Sequence, residues 1–289
     1  FARLVREPQE YAVAVRASFE DASFGAEAFQ SAVAEAVSHI KAHDIEKVVL
    51  ARDIRAAVPA NFDIRATLVR LAKRFANCWT YAVSGTFGAS PELLVRVAKG
   101  QVSARVLAGT AGRGTEPSID AAISKALATS GKNRSEHRFA VDSLVKSLSP
   151  YCEAIEADAE PFSLALPNLW HLASDVQGVL RDEASSLDLA AALHPTAAVA
   201  GTPTDLAKAM IAELEPFDRG RYAGPVGWLD ASGDGEWVIA LRGGQLTARD
   251  GSGGSITAYA GCGIVAESDP EAELAETELK FSPIRNAFA

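Results

Sequence analysis

The chain has 289 residues, 28 Lys+Arg against 37 Asp+Glu and a net charge of −9, a length that holds one large domain or two ordinary ones. With 48% hydrophobic and 22% charged residues, its composition is that of a folded globular protein and excludes general disorder. The acidic balance argues against a nucleic-acid partner, which requires clustered Lys and Arg, and no apolar run approaches the ~20 residues of a membrane-spanning helix.

The chain opens Phe1-Ala-Arg-Leu-Val-Arg, with no apolar stretch of a secretory signal behind it. A start at Phe rather than Met is what a processed or truncated product shows. In chain order, 26–43 reads as an amphipathic helix with Phe29, Val33 and Val37 on one face. KVVLARDIRA reads as a strand, and NFDIRATLVRLAKRFA as a second helix opened by Asn61. The segment from Cys78 to Gly109 reads as about three strands, broken at Gly88–Pro91 and Lys99–Gly100. Helices are predicted at 118–129 and 135–148, strands or loops around 160–180, a short helix in SSLDLAAAL, and a Thr-capped helix in TPTDLAKAMIAELE. AGPVGWLDA, EWVIALRGGQLTAR and ITAYAGCGIVA are the late strands, and a last helix covers 270–280. Hairpin-linked strands alternating with clustered helices predict an α+β fold with extensive antiparallel sheet. With no linker, a single domain over 1–289 is expected.

Cys78, Cys152 and Cys262 are odd in number, far apart and outside any CxxC pair. That pattern favours the reducing cytoplasm over a disulfide framework or a zinc site. The five histidines show no metal-ligand spacing, so any metal must be held by acids. In the last helix Glu273, Glu276, Thr277 and Lys280 fall on one face at 100° per residue. Carboxylates at i and i+3 repel unless a cation sits between them, and hard oxygen ligands suit Mg²⁺; a solvated acidic face near a helix start is the plainer reading. Glu136, off the apolar stripe of its helix, is likewise a metal candidate or a first-turn Glu favoured by the dipole. Lys47 shares a strand face with Val49 and Ala51. An amine desolvated there becomes a general base; the alternative is a lysine that snorkels to water. Glu92 follows a Gly/Pro turn, where partial burial makes it a general acid and exposure a turn residue.

Gly261-Cys-Gly263-Ile-Val-Ala266 matches GxGxxA, but no second strand follows to complete a dinucleotide-binding unit. Its glycines are better read as letting backbone amides approach an anion. Gly109 and Thr110, in LAGTAGRG, lie in a run without the Lys of a phosphate loop, either a turn or a second amide cradle. His171 reads as a structural histidine or a ligand contact. Arg242, late in an apolar strand, needs an anionic partner if buried.

EKVVLAR (46–52), FGASPELLVRV (87–97), LAGTAGRG (107–114), SEHRFAVD (135–142) and LWHLASDVQG (169–178) are followed by LHPTAAVAGTP (193–203), EPFDRGRYAGPVGWLD (215–230), GEWVIALR (235–242) and AGCGIVAESDPEAELAETELK (260–280). In these runs, taken in order, the chain resembles the chorismate-utilising enzymes, and most closely their isochorismate synthases. The resemblance implies two stacked, largely antiparallel sheets in a four-layer α/β/β/α sandwich of the anthranilate-synthase-component-I type, with the site between the sheets. It implies a Mg²⁺-dependent isomerase acting on chorismate in menaquinone or siderophore biosynthesis, with no obligate protein partner. Glu136 and Glu276 would be the metal ligands, with Glu273 adjacent or acting through water. Arg242 and Tyr222 would hold the enolpyruvyl carboxylate, helped by Lys280 and the amides around Gly261 and Gly263. Gly109, Thr110, His171 and Ala198 complete the implied substrate pocket. Lys47 would activate water for attack at ring C2, and Glu92 would protonate the departing C4 hydroxyl. Ala108 stands where para-aminobenzoate-type synthases carry a nucleophilic Lys, Lys47 where anthranilate synthases usually have Gln, and Ala198 where salicylate synthases tend to have Thr; all three favour isochorismate as the product. Tyr222 leaves a salicylate synthase as the rival, and Asn133, where many relatives have an acid, a non-catalytic chorismate-binding relative. Members of this family usually carry more residues ahead of KVVLAR, so an N-terminal segment is expected to be absent.

Overall fold

The computed structural model describes residues 15–181, 184–249 and 253–289. Two antiparallel sheets, flanked by helices, make up the molecule. The first contains β1 (Glu20–Asp21), β2 (Lys47–Val58), β3 (Trp79–Val83), β4 (Thr86–Ser90), β10 (Gly201–Thr202), β13 (Gly243–Arg249) and β14 (Gly253–Ile264), in the order β1-β2-β14-β13-β4-β3 with β10 also on β2. The second contains β5 (Leu93–Ala98), β6 (Gln101–Gly112), β7 (Cys152–Ala157), β8 (Phe162–Ala165), β9 (Leu169–Leu180), β11 (Pro225–Leu229) and β12 (Gly235–Ile239), in the order β11-β12-β5-β6-β9-β7 with β8 also on β9. Helices α1 (Ala26–Lys41), α2 (Ile64–Arg74), α6 (Thr204–Leu214) and α7 (Pro270–Ala287) pack on the first sheet; α3 (Pro117–Thr129), α4 (Gly131–Leu148) and α5 (Ser186–Leu193) pack on the second.

Alternation along β2 divides its residues between two environments. Val48, Leu50, Ile54, Ala56 and Val58 enter the apolar clusters under α1, α2, α6 and α7. Val95, Val106 and Val176 of the second sheet meet Leu144, Leu148, Leu189 and Leu193 of α4 and α5. Cys78, Cys152 and Cys262 are free thiols, and among the described residues no helix is long and apolar enough to cross a membrane.

Several boundaries differ from the sequence reading. Asp63, not Asn61, caps α2, because its carboxylate is the group that reaches the Arg65 N–H. Pro203 occupies the N-cap of α6, so the expected Thr cap is not made. The Cys78–Gly109 segment forms four strands; Gly88 lies inside β4, and Ser84-Gly85, both at positive φ, supplies a turn the reading missed. Ser130 caps α4 by accepting from Asn133 N–H, which starts this helix ahead of 135 and moves Glu136 out of its first turn. Helix α7 runs past 280 to Ala287. Its internal Pro283 lacks an N–H for the Leu279 carbonyl, which accepts instead from Asn168 Nδ2 at 2.9 Å and Ser282 Oγ at 2.8 Å.

Candidate active site

The chain passes between the sheets twice at neighbouring points. One passage, Pro91-Glu92, joins β4 to β5; the other, Ala240–Arg242, joins β12 to β13. They are hydrogen-bonded to each other, Ile239 N to Glu92 O at 3.1 Å and Ala89 N to Arg242 O at 3.3 Å. EWVIALRGGQLTAR is therefore two strands in different sheets, and Arg242 stands in the passage rather than late in a strand. It has φ +54°, the left-handed conformation that a non-glycine residue adopts at a cost. Both passages deliver their charged side chains to one cavity, lined by residues of both sheets.

Lys47, at the start of β2, is 1% exposed. Its Nζ lies 3.0 Å from Glu136 Oε1 on α4, so the amine sits in a buried ion pair and not in an apolar setting. Gly263 of β14 makes room for this pair. A Cβ there would stand 2.3 Å from Glu136 Oε1 and 2.8 Å from Lys47 Cε. On α7, Lys280 Nζ bonds Glu276 Oε1 at 2.6 Å and the Gly261 carbonyl at 2.7 Å. Burial disfavours its ammonium, but Glu276 more than offsets this and its pKa is held above the usual value. The group that Gly261 presents to Lys280 is a carbonyl acceptor.

Glu273 is placed differently. One helical step of i, i+3 rotates it about 60° from Glu276, and that rotation takes it out of the cavity lining. It is buried, and its Oε1 accepts from Ser268 Oγ at 2.6 Å. The expected three-carboxylate set is not assembled: among the described residues no group of three His, Cys, Asp or Glu side chains is close enough to hold a metal ion.

Glu92 is 6% exposed. Burial raises its carboxyl pKa to about 7, against the lowering pull of Arg242, Lys47 and Lys280. His171 of β9 is held neutral by burial and by the adjacent Arg242, which together keep its pKa well below the usual value. Its Nδ1 lies 3.3 Å from Gly109 O and 3.2 Å from Thr110 Oγ1, and its Nε2 accepts from Arg242 Nη2 at 2.8 Å. Burial lowers the Arg242 pKa and raises that of Tyr222. Tyr222 stacks on Tyr259, with centroids 5.1 Å apart. Gly109, at φ +83°, packs against Asn133, and Asn133 itself donates to the cap residue Ser130 at 2.9 Å.

Lys47, Glu92, Gly109, Thr110, Glu136, His171, Ala198, Tyr222, Arg242, Gly261, Gly263, Glu276 and Lys280 all line this cavity; Glu273 does not. A family model described as chorismate binding enzyme matches residues 3–289. The chain belongs to the chorismate-binding enzymes. The isochorismate synthase DhbC of Bacillus subtilis is 37% identical to it over 274 residues, covering 91% of this chain and 68% of that protein. The isochorismate synthase EntC of Escherichia coli is 35% identical over 265 residues, covering 90% and 66%. Among solved structures, the menaquinone-specific isochorismate synthase MenF of Escherichia coli superposes with a TM-score of 0.81 at 28% identity, over 98% of this chain and 65% of that one. Anthranilate synthase component I of Streptococcus pneumoniae gives 0.82 at 27% identity, over 97% and 63%. The two-sheet architecture is thus that of chorismate-binding enzymes with different named activities.

Two supports of this cavity, neither in its lining, were missed in the sequence. Between its pairings with β10 and β1, the edge of β2 is closed by side chains. Glu215 Oε1 accepts from Ala51 N at 2.8 Å, and Arg219 donates to Val49 O and Val199 O at 2.6 and 2.9 Å. The i, i+4 spacing of Glu215 and Arg219 was the available signal. The other support is His137, buried beside Glu136 in the sequence, with Nδ1 3.2 Å from Ala108 O and Nε2 2.9 Å from Ser174 Oγ. Burial lowers its pKa.

Proposed function

We propose that the protein is an isochorismate synthase, converting chorismate to isochorismate. The observation that carries this reading is the placement of Lys47, from the first sheet, and Glu92, at the entry to the second, on one cavity. With Glu92 protonated, Lys47, Lys280 and Arg242 face two carboxylates, Glu136 and Glu276. The balance is positive and suits a ligand with two carboxylates, such as chorismate. Arg242 and Tyr222 bind the enolpyruvyl carboxylate, and His171, which only accepts from Arg242, keeps that guanidinium aimed.

Lys47 rests as an ammonium paired with Glu136 and becomes a base by releasing one proton to solvent, which parts the pair before chemistry. Lys47 then takes a proton from water as the water oxygen bonds to C2. The double bonds shift, the C4–O bond breaks, and Glu92 gives its proton to the departing hydroxyl, which leaves as water. The proton gained by Lys47 balances the one lost by Glu92. Each transfer by a positioned group is worth about 10²–10⁴ in rate.

Glu136 and Glu276 fit a magnesium ion: both offer hard oxygen donors to the cavity, and the missing Cβ of Gly263 leaves the Glu136 carboxylate its space. When bound, Mg²⁺ would neutralise a ring carboxylate and orient the substrate. Incubation with chorismate and Mg²⁺, with and without ammonium, followed by chromatography, tests the reading. Isochorismate alone is expected in both, with turnover lost in EDTA. Pyruvate release with salicylate would make it a salicylate synthase, a reading favoured by Tyr222 at the cavity wall; chorismate binding without product would leave a non-catalytic relative.

A further inference from the structure

Strands β6 and β9 slip register at one point. Leu107 pairs with Ala173 and Thr110 with His171, so Ala108 and Gly109 together oppose Leu172 in a bulge. The two carbonyls of this bulge each meet one histidine, Ala108 O facing His137 Nδ1 at 3.2 Å and Gly109 O facing His171 Nδ1 at 3.3 Å. A carbonyl only accepts, so both Nδ1 atoms carry hydrogen. On the far side of His171, Nε2 meets a guanidinium that only donates, and that nitrogen is therefore bare. On the far side of His137, Nε2 meets the Ser174 hydroxyl, which turns either way.

Resting on the isochorismate synthase reading, we propose that His137 is a positioning residue. Its Nδ1–H holds the β6 bulge in the geometry that sets the tautomer of His171 and, through it, the aim of Arg242. His137 is buried and does not line the cavity, so it acts through the bulge and not on the ligand. Without this N–H, the buried Ala108 carbonyl loses one hydrogen bond. Gly109, at φ +83°, is then free to swing its own carbonyl away from His171, leaving Nδ1 with the Thr110 hydroxyl at 3.2 Å, which can accept or donate. The imidazole can move its hydrogen to Nε2, where it meets the Arg242 guanidinium donor against donor.

Side-chain amides separate this role from a merely structural one. In His137→Asn, Nδ2 takes the place of the imidazole Nδ1 and donates to Ala108 O. In His137→Gln, Nε2 takes the place of the imidazole Nε2 and reaches only Ser174. Nitrogen NMR of the full, ligand-free chain reads the His171 tautomer directly. A single Nδ1–H form is expected in the wild type and in His137→Asn, and a mixture in His137→Gln. With chorismate, kcat/KM is expected to fall roughly 10–100-fold in His137→Gln, chiefly through KM because Arg242 holds a substrate carboxylate, and to stay near wild type in His137→Asn. A pure Nδ1–H signal in His137→Gln, or equal behaviour of the two variants, overturns the proposal. If the wild type makes no isochorismate, the functional reading fails, while the tautomer comparison still decides the role of His137.

Discussion

Lys47 and Arg52 lie on the same strand and are 1% and 2% exposed, yet they serve opposite faces of β2. Arg52 points under α7, where Asp21, Glu278 and Thr277 take up its guanidinium and the Phe281 ring lies 5.6 Å away. Both of its carboxylate partners are about half exposed at the surface. Lys47 points into the cavity, its ion-pair partner is Glu136, and Glu92 faces it with a pKa raised by burial. Burial and pairing alone therefore do not mark a working cation. What separates the two is that the pair at Lys47 borders a cavity shared with the buried carboxyl of Glu92, whereas Arg52 is ringed by Asp21, Glu278, Thr277 and Phe281.

The largest test of this contrast is Lys47→Ala, expected to lower kcat by about 10²–10⁴ with far-UV circular dichroism unchanged. A fully active variant would sink the base assignment. Glu92 makes the second test. Because its carboxyl titrates at about 7, against 4.5 ordinarily, the pH profile of kcat should break near 7, where loss of the Glu92 proton opposes the gain in neutral Lys47. Between these two values the folded state keeps a proton that the unfolded state has released, so stability declines as pH rises across that window. Glu92→Gln should lower kcat by up to about 10²–10⁴ while stabilising the fold at pH 8 by on the order of 3 kcal/mol; an unchanged denaturation midpoint there would contradict the buried acid.

Gly263→Ala should cost roughly 10–100-fold in kcat/KM without unfolding, since its Cβ must displace the Lys47–Glu136 pair. Wild-type kinetics would mean the pair is not held where activity requires it. The smallest effect on activity is expected from Arg52→Met. Stability should drop by about 1–3 kcal/mol, read by urea denaturation, with kcat near wild type; a large fall in kcat would erase the distinction between the two faces.

Legibility in the sequence followed the range of the forces involved. The strand alternation of Lys47, Val49 and Ala51, the start of the last helix at 270 and the face shared by Glu276 and Lys280 are local, and all appear in the structure. Ordered resemblance of the motifs carried the two-sheet fold and brought distant residues to one cavity. Where local pattern was pressed further it failed. Glu273 and Glu276 share a helix face on a wheel, yet a cavity edge passes between them. EWVIALRGG reads as one apolar strand because both of its halves are buried, although they belong to different sheets.

Sequence pattern was enough for the period of most elements, the family, and the chemical kinds of side chain available to the site, since these depend on backbone sterics, capping groups and residue identity. Tertiary structure alone decided that the Lys47 amine sits in an ion pair and that Arg242 stands in a left-handed passage between sheets. It also decided that two of three candidate carboxylates reach the cavity and that a bulge binds two histidines. Each of these depends on which groups meet across long stretches of chain, where burial and hydrogen-bond partners are set by neighbours that no local pattern names.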